Sequence, residues 1–465
     1  MTQTSDERNQ QPRKVLDRRK RILIAFTFFS MFFGAGNLIF PPFVGAQAGG
    51  LTWAAAIGFI VSGVGLPIMG VLAVTTAGGF DKLAGRVSKN FSLVLGLLII
   101  LTIGPCFAIP RTATTSFEMA VTPFAGSTPR WILQLGYSVV FFALAYALAQ
   151  HPDRLASVIG KFMGPLLLIL IAVLFVACIV TYRGDFALPS GDYRTNQVVR
   201  GFLDGYQTMD MLAALYFGIV ISANVSAMGV ESDAQVRKET AIGGVATGVF
   251  LALVYAALAY VGAVSGSLSP VDASADTGAT VLTNLTTQLF GAWGTAFIGA
   301  IFVIACLNVC TGLISTCSVY FQERFPGAFG GAMTYRAWST LFTLFSLLVS
   351  NIGLSMIIKV SLPVLSALYP VAIVLVILSM LHKVFSQHFP RVYFWSVTMV
   401  GIVSLAQCVE SMAVVFGGQL PLLRSALSLL PLDAFQLGWL VPAALGVAVG
   451  VIDSVVRVRK TGSKE

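Results

Sequence analysis

The chain has 465 residues, 56% of them hydrophobic and only 11% charged, with a mean hydropathy of +0.85 and a formal net charge of +9. Soluble domains carry charge on roughly a quarter of their residues, so water is excluded as the solvent for most of this surface, and soluble enzymes and soluble nucleic-acid-binding domains are excluded with it. The positive balance therefore needs a different explanation, and the placement of Lys and Arg supplies one.

Residues 1–21 form a polar, charged leader with too few apolar side chains to build a core. Apolar runs then recur at 22–47, 51–76, 91–120, 131–149, 160–181, 195–230, 238–263, 293–322, 334–350, 353–382, 391–416 and 434–456, which is twelve predicted membrane helices. Each run approaches or exceeds the roughly 20 residues needed to cross a hydrocarbon core. The first is too long for a secretory signal and has no small-residue cleavage site, so it reads as a retained helix. Segments 182–194 and 264–292 carry Pro, Gly, Ser and Asp and read as external loops with room for short surface helices; residues 457–465 read as a tail.

With the N-terminus inside, cytoplasmic segments hold 22 of the 29 Lys and Arg residues, external segments hold five (Arg130, Arg183, Arg194, Arg200 and Arg424), and Arg111 and Lys359 lie within spans. This is the positive-inside pattern; it places both termini in the cytoplasm and accounts for the net charge without nucleic acid. All six cysteines fall in apolar runs, where a disulfide framework has nothing to staple. Cys306 and Cys310, one helical turn apart, read as small packing residues rather than metal ligands.

Two spans are poorly built as plain helices. In the first, Phe33-Gly34-Ala35-Gly36-Asn37 is followed by Phe40-Pro41-Pro42, and in the sixth, Asp204-Gly205-Tyr206-Gln207-Thr208-Met209-Asp210 places carboxylates and hydroxyls at membrane depth. Such residues break a helix, and irregular backbone at that depth is tolerated only where it lines a cavity or is buried in protein. The two interruptions are five spans apart, which predicts an inverted repeat of five plus five helices (22–182 and 183–383) with two more trailing (384–456). Exposed N–H groups at one break attract an anion and exposed carbonyls at the other a cation, so a zwitterionic amino acid suits the pair.

Four segments carry a family resemblance: 33–42, Ile103-Gly104-Pro105-Cys106-Phe107-Ala108-Ile109-Pro110-Arg111-Thr112-Ala113, 205–210, and Lys359-Val360-Ser361-Leu362-Pro363-Val364-Leu365. They resemble the branched-chain amino acid:cation symporter family, whose members take up leucine, isoleucine and valine in bacteria, within the leucine-transporter-like, amino acid–polyamine–organocation group. The resemblance implies a multi-pass protein of the bacterial cytoplasmic membrane, transport rather than enzymatic activity, and a coupling ion, sodium ahead of a proton, as the only cofactor.

It also implies site residues. Backbone N–H groups of Gly34, Ala35 and Gly36 would bind the substrate carboxylate, and Asn37 would ligate a sodium ion beside it. A second sodium site would use carbonyls of Ser30 and Phe33 with span eight, where Ile314 stands at one of the two usual hydroxyl positions and Ser315 at the other, leaving Thr311 or Thr316 to compensate. Lys161 resembles the lysine at the start of the fifth helix in proton-coupled or ion-independent relatives; a lysine snorkelling to the interface is the alternative.

Asp210, a carboxylate within a span, is read as handling substrate or cation, with a structural hydrogen-bond role as the alternative. Phe33, Phe107, Tyr206 and Met209 are expected to wall an apolar pocket between spans one, three, six and eight, joined at the site by Gly205 and Thr208. Arg111 and Glu118, seven residues apart on one helical face, read as belonging to a structural ion pair made through intervening groups or neighbours. An embedded enzyme is disfavoured because His151, His382 and His388 lie at cytoplasmic edges and no serine is paired with a base at membrane depth.

Overall fold

The computed structural model covers residues 17–150, 152–182, 184–228, 230, 232–272 and 275–462. Residues 1–16, His151, Arg183 and the last three residues lie outside the described residues, as do the side chains at 152–165, Lys161 among them. Every regular element among the described residues is helical.

The first predicted span is two helices, α1 (Arg18–Phe32) and α2 (Ala35–Ala48), separated by Phe33 and Gly34 in extended backbone. The break falls at the start of the glycine-asparagine run, and Pro41 and Pro42, expected to help end the helix, sit inside α2. They leave the carbonyls of Asn37 and Leu38 without their usual donors but do not stop the winding.

Span two comprises α3 (Thr52–Ile60), a wide π turn and α4 (Leu66–Ala77), with the short α5 (Phe80–Gly85) after it. Span three was expected to be continuous and is not: α6 (Lys89–Leu101) and α7 (Ala108–Ala120) flank Thr102–Cys106, where Gly104 leaves helical geometry immediately before Pro105. Next come α8 (Arg130–Ala149) and α9 (Pro152–Thr181). Span six is α10 (Gln197–Asp204), a single tight turn over Gly205–Thr208, and α11 (Asp210–Ala227).

The remainder is α12 (Asp233–Leu268), α13 (Gly278–Arg324), α14 (Tyr335–Ser350), α15 (Leu354–Met380), α16 (Arg391–Val415), the short α17 (Pro421–Leu427) and α18 (Leu440–Gly462). Much of the predicted external loop 264–292 is helix: α12 runs on to Leu268, and residues 278–290 form an arm that bends into the rest of α13 at Gly291. The arm packs on α2. Gly278 lies so close to the Ile39 carbonyl that a Cβ would overlap it, and Ser265 Oγ donates to the Val281 carbonyl at 2.7 Å.

Among the described residues, seven helical runs are long and apolar enough to cross a membrane. Side chains such as Trp53, Ile57, Trp131, Leu253, Phe297 and Leu348 are more than half exposed on the outside of the bundle, a surface suited to hydrocarbon and not to water. Inside, α2 packs along α12, α3 along α10, α4 along α11 and α7 along α13. An inverted repeat maps span one on six, two on seven and three on eight, so the pair one–seven must reappear as six–two while three–eight maps on itself. The observed contacts obey that exchange. α16 fastens to α15 and α18 to α16, outside the repeat.

Candidate functional site

At Phe33 the last carbonyl bond of α1 is made, Phe33 N–H to Phe29 O at 2.8 Å, and the chain then straightens. α2 restarts with Asn37 folding back, its Oδ1 accepting from Gly34 N–H at 3.1 Å. Residues Ala35 and Gly36 follow in the first turn, where N–H groups have no acceptor within the helix. At the sixth span the tight turn ends on Met209 with φ of 63°, a left-handed conformation that disfavours an L-residue by roughly 1–2 kcal/mol. Met209 is also buried, and packing of that size, typically 2–5 kcal/mol, holds it there.

The broken ends line a half-open chamber of about 520 Å³, open solvent at its mouth included. Its polar end is formed by Gly34, Ala35, Gly36, Asn37, Arg111, Thr112, Thr208 and Asp210. Its apolar wall is Met31 and Phe32 of α1, Ile103 and Ala108 at the third break, Met209, Ala213 and Phe217 of the sixth span, and Val309 and Leu313 of α13.

One buried network organises the polar end. Asn37 Nδ2 donates to Asp210 Oδ2 at 2.5 Å and also to the Tyr255 hydroxyl, and that hydroxyl donates to the same Asp210 oxygen at 3.1 Å. The broken first span, the broken sixth span and α12 are thus tied at a single carboxylate. A carboxylate in a low-dielectric interior is tolerated only when its bonds are satisfied or a cation joins it. Opposite, Arg111 Nη1 donates to the Gln207 carbonyl at 2.7 Å, and its guanidinium lies 5.1 Å from the centroid of the Phe40 ring. Gln207 in turn accepts from Ser361 of α15 at 3.2 Å.

Several expected site residues do not reach the chamber. Tyr206 is stacked on Tyr369 at 4.1 Å and meets Phe202 edge-on; Gly205 is wedged against Ser62 and Phe59; Phe107 caps α7; Phe33 stacks on Phe29 at 4.7 Å. Ser30 is exposed near the end of α1. Of the three hydroxyls of α13, Thr311 donates to Leu307 O at 2.8 Å, Thr316 donates to Gly312 O at 2.8 Å, and Ser315 bonds to the Tyr335 hydroxyl at 2.7 Å. Among the described residues, no hydrogen bond links this trio to Ser30 or Phe33.

Three other charged residues find definite places. Glu118 pairs with its neighbour Arg130, while Arg111, about 10 Å away along the axis of α7 at 1.5 Å per residue, lines the chamber. Asp204 pairs with Arg200 at 3.1 Å and bonds to Tyr193, away from the chamber. Tyr255 and Gln207 were not foreseen as site residues; a hydroxyl in the middle of the apolar run 238–263 was the available signal for the first.

A family profile described as branched-chain amino acid transport protein matches residues 17–456. The chain belongs to that family. The transporter is 35% identical to the branched-chain amino acid permease BraB of Bacillus subtilis (strain 168), over 93% of this chain and 94% of that protein. It is 37% identical to the branched-chain amino acid transport system 2 carrier protein of Pseudomonas aeruginosa, over 93% and 95% of the two chains. It is similar in fold to the inward-facing conformation of Mhp1, with a TM-score of 0.59 at 13% identity, covering 95% of this chain and 91% of that one. A second structure, of Mhp1 in a closed conformation with bromovinylhydantoin bound, gives 0.58 at 12%, covering 95% and 93%. The protein is thus a multi-pass transporter of the leucine-transporter-like fold and not an enzyme.

Proposed function

We propose that this transporter imports L-leucine, L-isoleucine and L-valine across the bacterial cytoplasmic membrane by cation symport and alternating access, with twelve spans and both termini inside. The observation that carries the reading is the chamber itself, where a buried carboxylate, Asp210, and the bare first turn of α2 face the same space as an apolar wall. The substrate ammonium goes to Asp210, the carboxylate to the N–H groups of Ala35 and Gly36, and the branched side chain to Met31, Phe217, Val309 and Leu313. A methylene more or less in such a wall changes binding by only about 1–3 kcal/mol, so the three amino acids compete. The relatives' names support the same substrate class.

Sodium is the first candidate ion, held by Asn37 or by Ser30 and Phe33 carbonyls with Thr311, Ser315 or Thr316 once the helices close around substrate. A specific observation favours the second reading, a proton: Asp210 is a buried carboxylate at the point where both broken helices meet. Uptake of labelled leucine into cells expressing the protein tests the substrate class. Unlabelled isoleucine and valine are expected to suppress it and lysine and aspartate to leave it unchanged; suppression by neutral amino acids without regard to side-chain shape defeats the branched-chain assignment.

A further inference from the structure

We propose that Arg111 is the residue that recognises the carboxylate of the transported amino acid. The proposal rests on the amino-acid reading above and adds a side chain to a site so far built from backbone groups and Asp210.

Arg111 is 3% exposed and lies in the seventh helix of a membrane bundle, yet among the described residues no carboxylate stands within ion-pair distance of it. Its one hydrogen bond there goes to a neutral carbonyl, that of Gln207, and uses Nη1. Asp210, on the same chamber, spends its bonds on Asn37 and Tyr255. A buried guanidinium is a five-donor fork built for a planar anion, and at membrane depth an ion without a counter-ion is unfavourable. Arg111 is therefore near the charge of Asp210 without bonding to it, and it lines the cavity through which a carboxylate able to engage its fork would arrive.

The position of the fork names the partner. A Cβ on Gly36 would lie 2.7 Å from Arg111 Nη2, so the absent side chain of Gly36 is the space through which the guanidinium reaches the first turn of α2. There its charge adds to the open N–H groups of Ala35 and Gly36, and two independent anion-binding features converge on one spot. Asp210 supplies the opposite charge in the same chamber, and apart from Asn37, Thr112 and Thr208 the remaining side chains of the lining are apolar. A ligand with one carboxylate, one ammonium and an apolar branch matches all three.

The test compares leucine with leucinamide, which keeps the ammonium and side chain but has a neutral amide in place of the carboxylate. Binding of each to purified full-length wild type, Arg111→Gln, Arg111→Lys and Gly36→Ala is measured at about pH 6, where both amines are protonated. Loss of a buried charge partner is expected to weaken leucine by about 30-fold or more in Arg111→Gln, with leucinamide affinity unchanged or improved. Arg111→Lys is expected to recover part of the leucine affinity, and Gly36→Ala, which displaces the fork while leaving Arg111 in the sequence, to show the same selective loss. Equal weakening of both ligands in Arg111→Gln and Gly36→Ala overturns the assignment, since a structural arginine or one holding an inorganic anion affects both alike. Wild-type protein that binds neither ligand nor isoleucine nor valine overturns the substrate reading itself, and the role of Arg111 falls with it.

Discussion

Asn37 makes bonds in two directions from one short side chain: its oxygen holds the Gly34 N–H and its nitrogen holds Asp210 and Tyr255. Asn37→Ala therefore strands a backbone donor and weakens a buried carboxylate at once, each worth about 1–3 kcal/mol. Tyr255→Phe removes only one of two donors to the same Asp210 oxygen, a loss nearer about 1 kcal/mol. Initial rates of leucine uptake, normalised to the amount of monodisperse protein in the membrane, are expected to fall much further in Asn37→Ala than in Tyr255→Phe. The reverse order would show that Tyr255, not Asn37, holds the carboxylate in place. Asn37 entered the site through the family resemblance of residues 33–42, which implies a sodium ligand there and says nothing of its bonds to Asp210 and Tyr255. Tyr255 was not legible, being one aromatic in a 36-residue helix, and Arg111 was read with Glu118 as structural because spacing along one face does not show which cavity a side chain enters.

At the scale of helices, the two interrupted spans were legible from composition alone, since Gly34–Asn37 and Asp204–Asp210 put polar groups and helix breakers where hydrocarbon demands a closed backbone. The third interruption, at Gly104-Pro105, was hidden by apolar residues on both sides, although it sets the start of α7 and hence the reach of Arg111. Pro41 and Pro42 misled in the other direction: α2 winds through them because it is buried on nearly every side, against α12 and the arm of α13. That packing gives a stability test. Gly278→Ala drives a methyl into the Ile39 carbonyl, an overpacking expected to cost about 1–3 kcal/mol. Gly136→Ala in α8 meets open space and is expected to be neutral or slightly stabilising. The detergent-solubilised melting temperature should drop for the first alone; equal melting temperatures would mean that the arm is not seated on α2.

Over the whole molecule, the chamber is lined on its apolar side by α1 and α11, and these two helices lead toward the end of the bundle where α1 begins. That end is fastened by the Arg21–Glu239 pair at 2.8 Å and by Lys20 donating to the Met228 carbonyl at 3.2 Å. The distribution of Lys and Arg puts it in the cytoplasm. An epitope after residue 465 is accordingly expected to resist protease added to intact spheroplasts and to be cut in inverted vesicles; cleavage in spheroplasts would reverse the orientation. The most direct measurement is uptake of labelled leucine by purified protein in liposomes, with sodium and pH gradients imposed independently, for wild type beside Asp210→Asn. Wild type is expected to accumulate leucine when one of the two gradients is applied, with isoleucine and valine competing, and Asp210→Asn to lose that accumulation. Wild-type protein that shows no gradient-dependent uptake of any of the three, or an Asp210→Asn variant that accumulates leucine as wild type does, would contradict a transport site built where the broken helices meet.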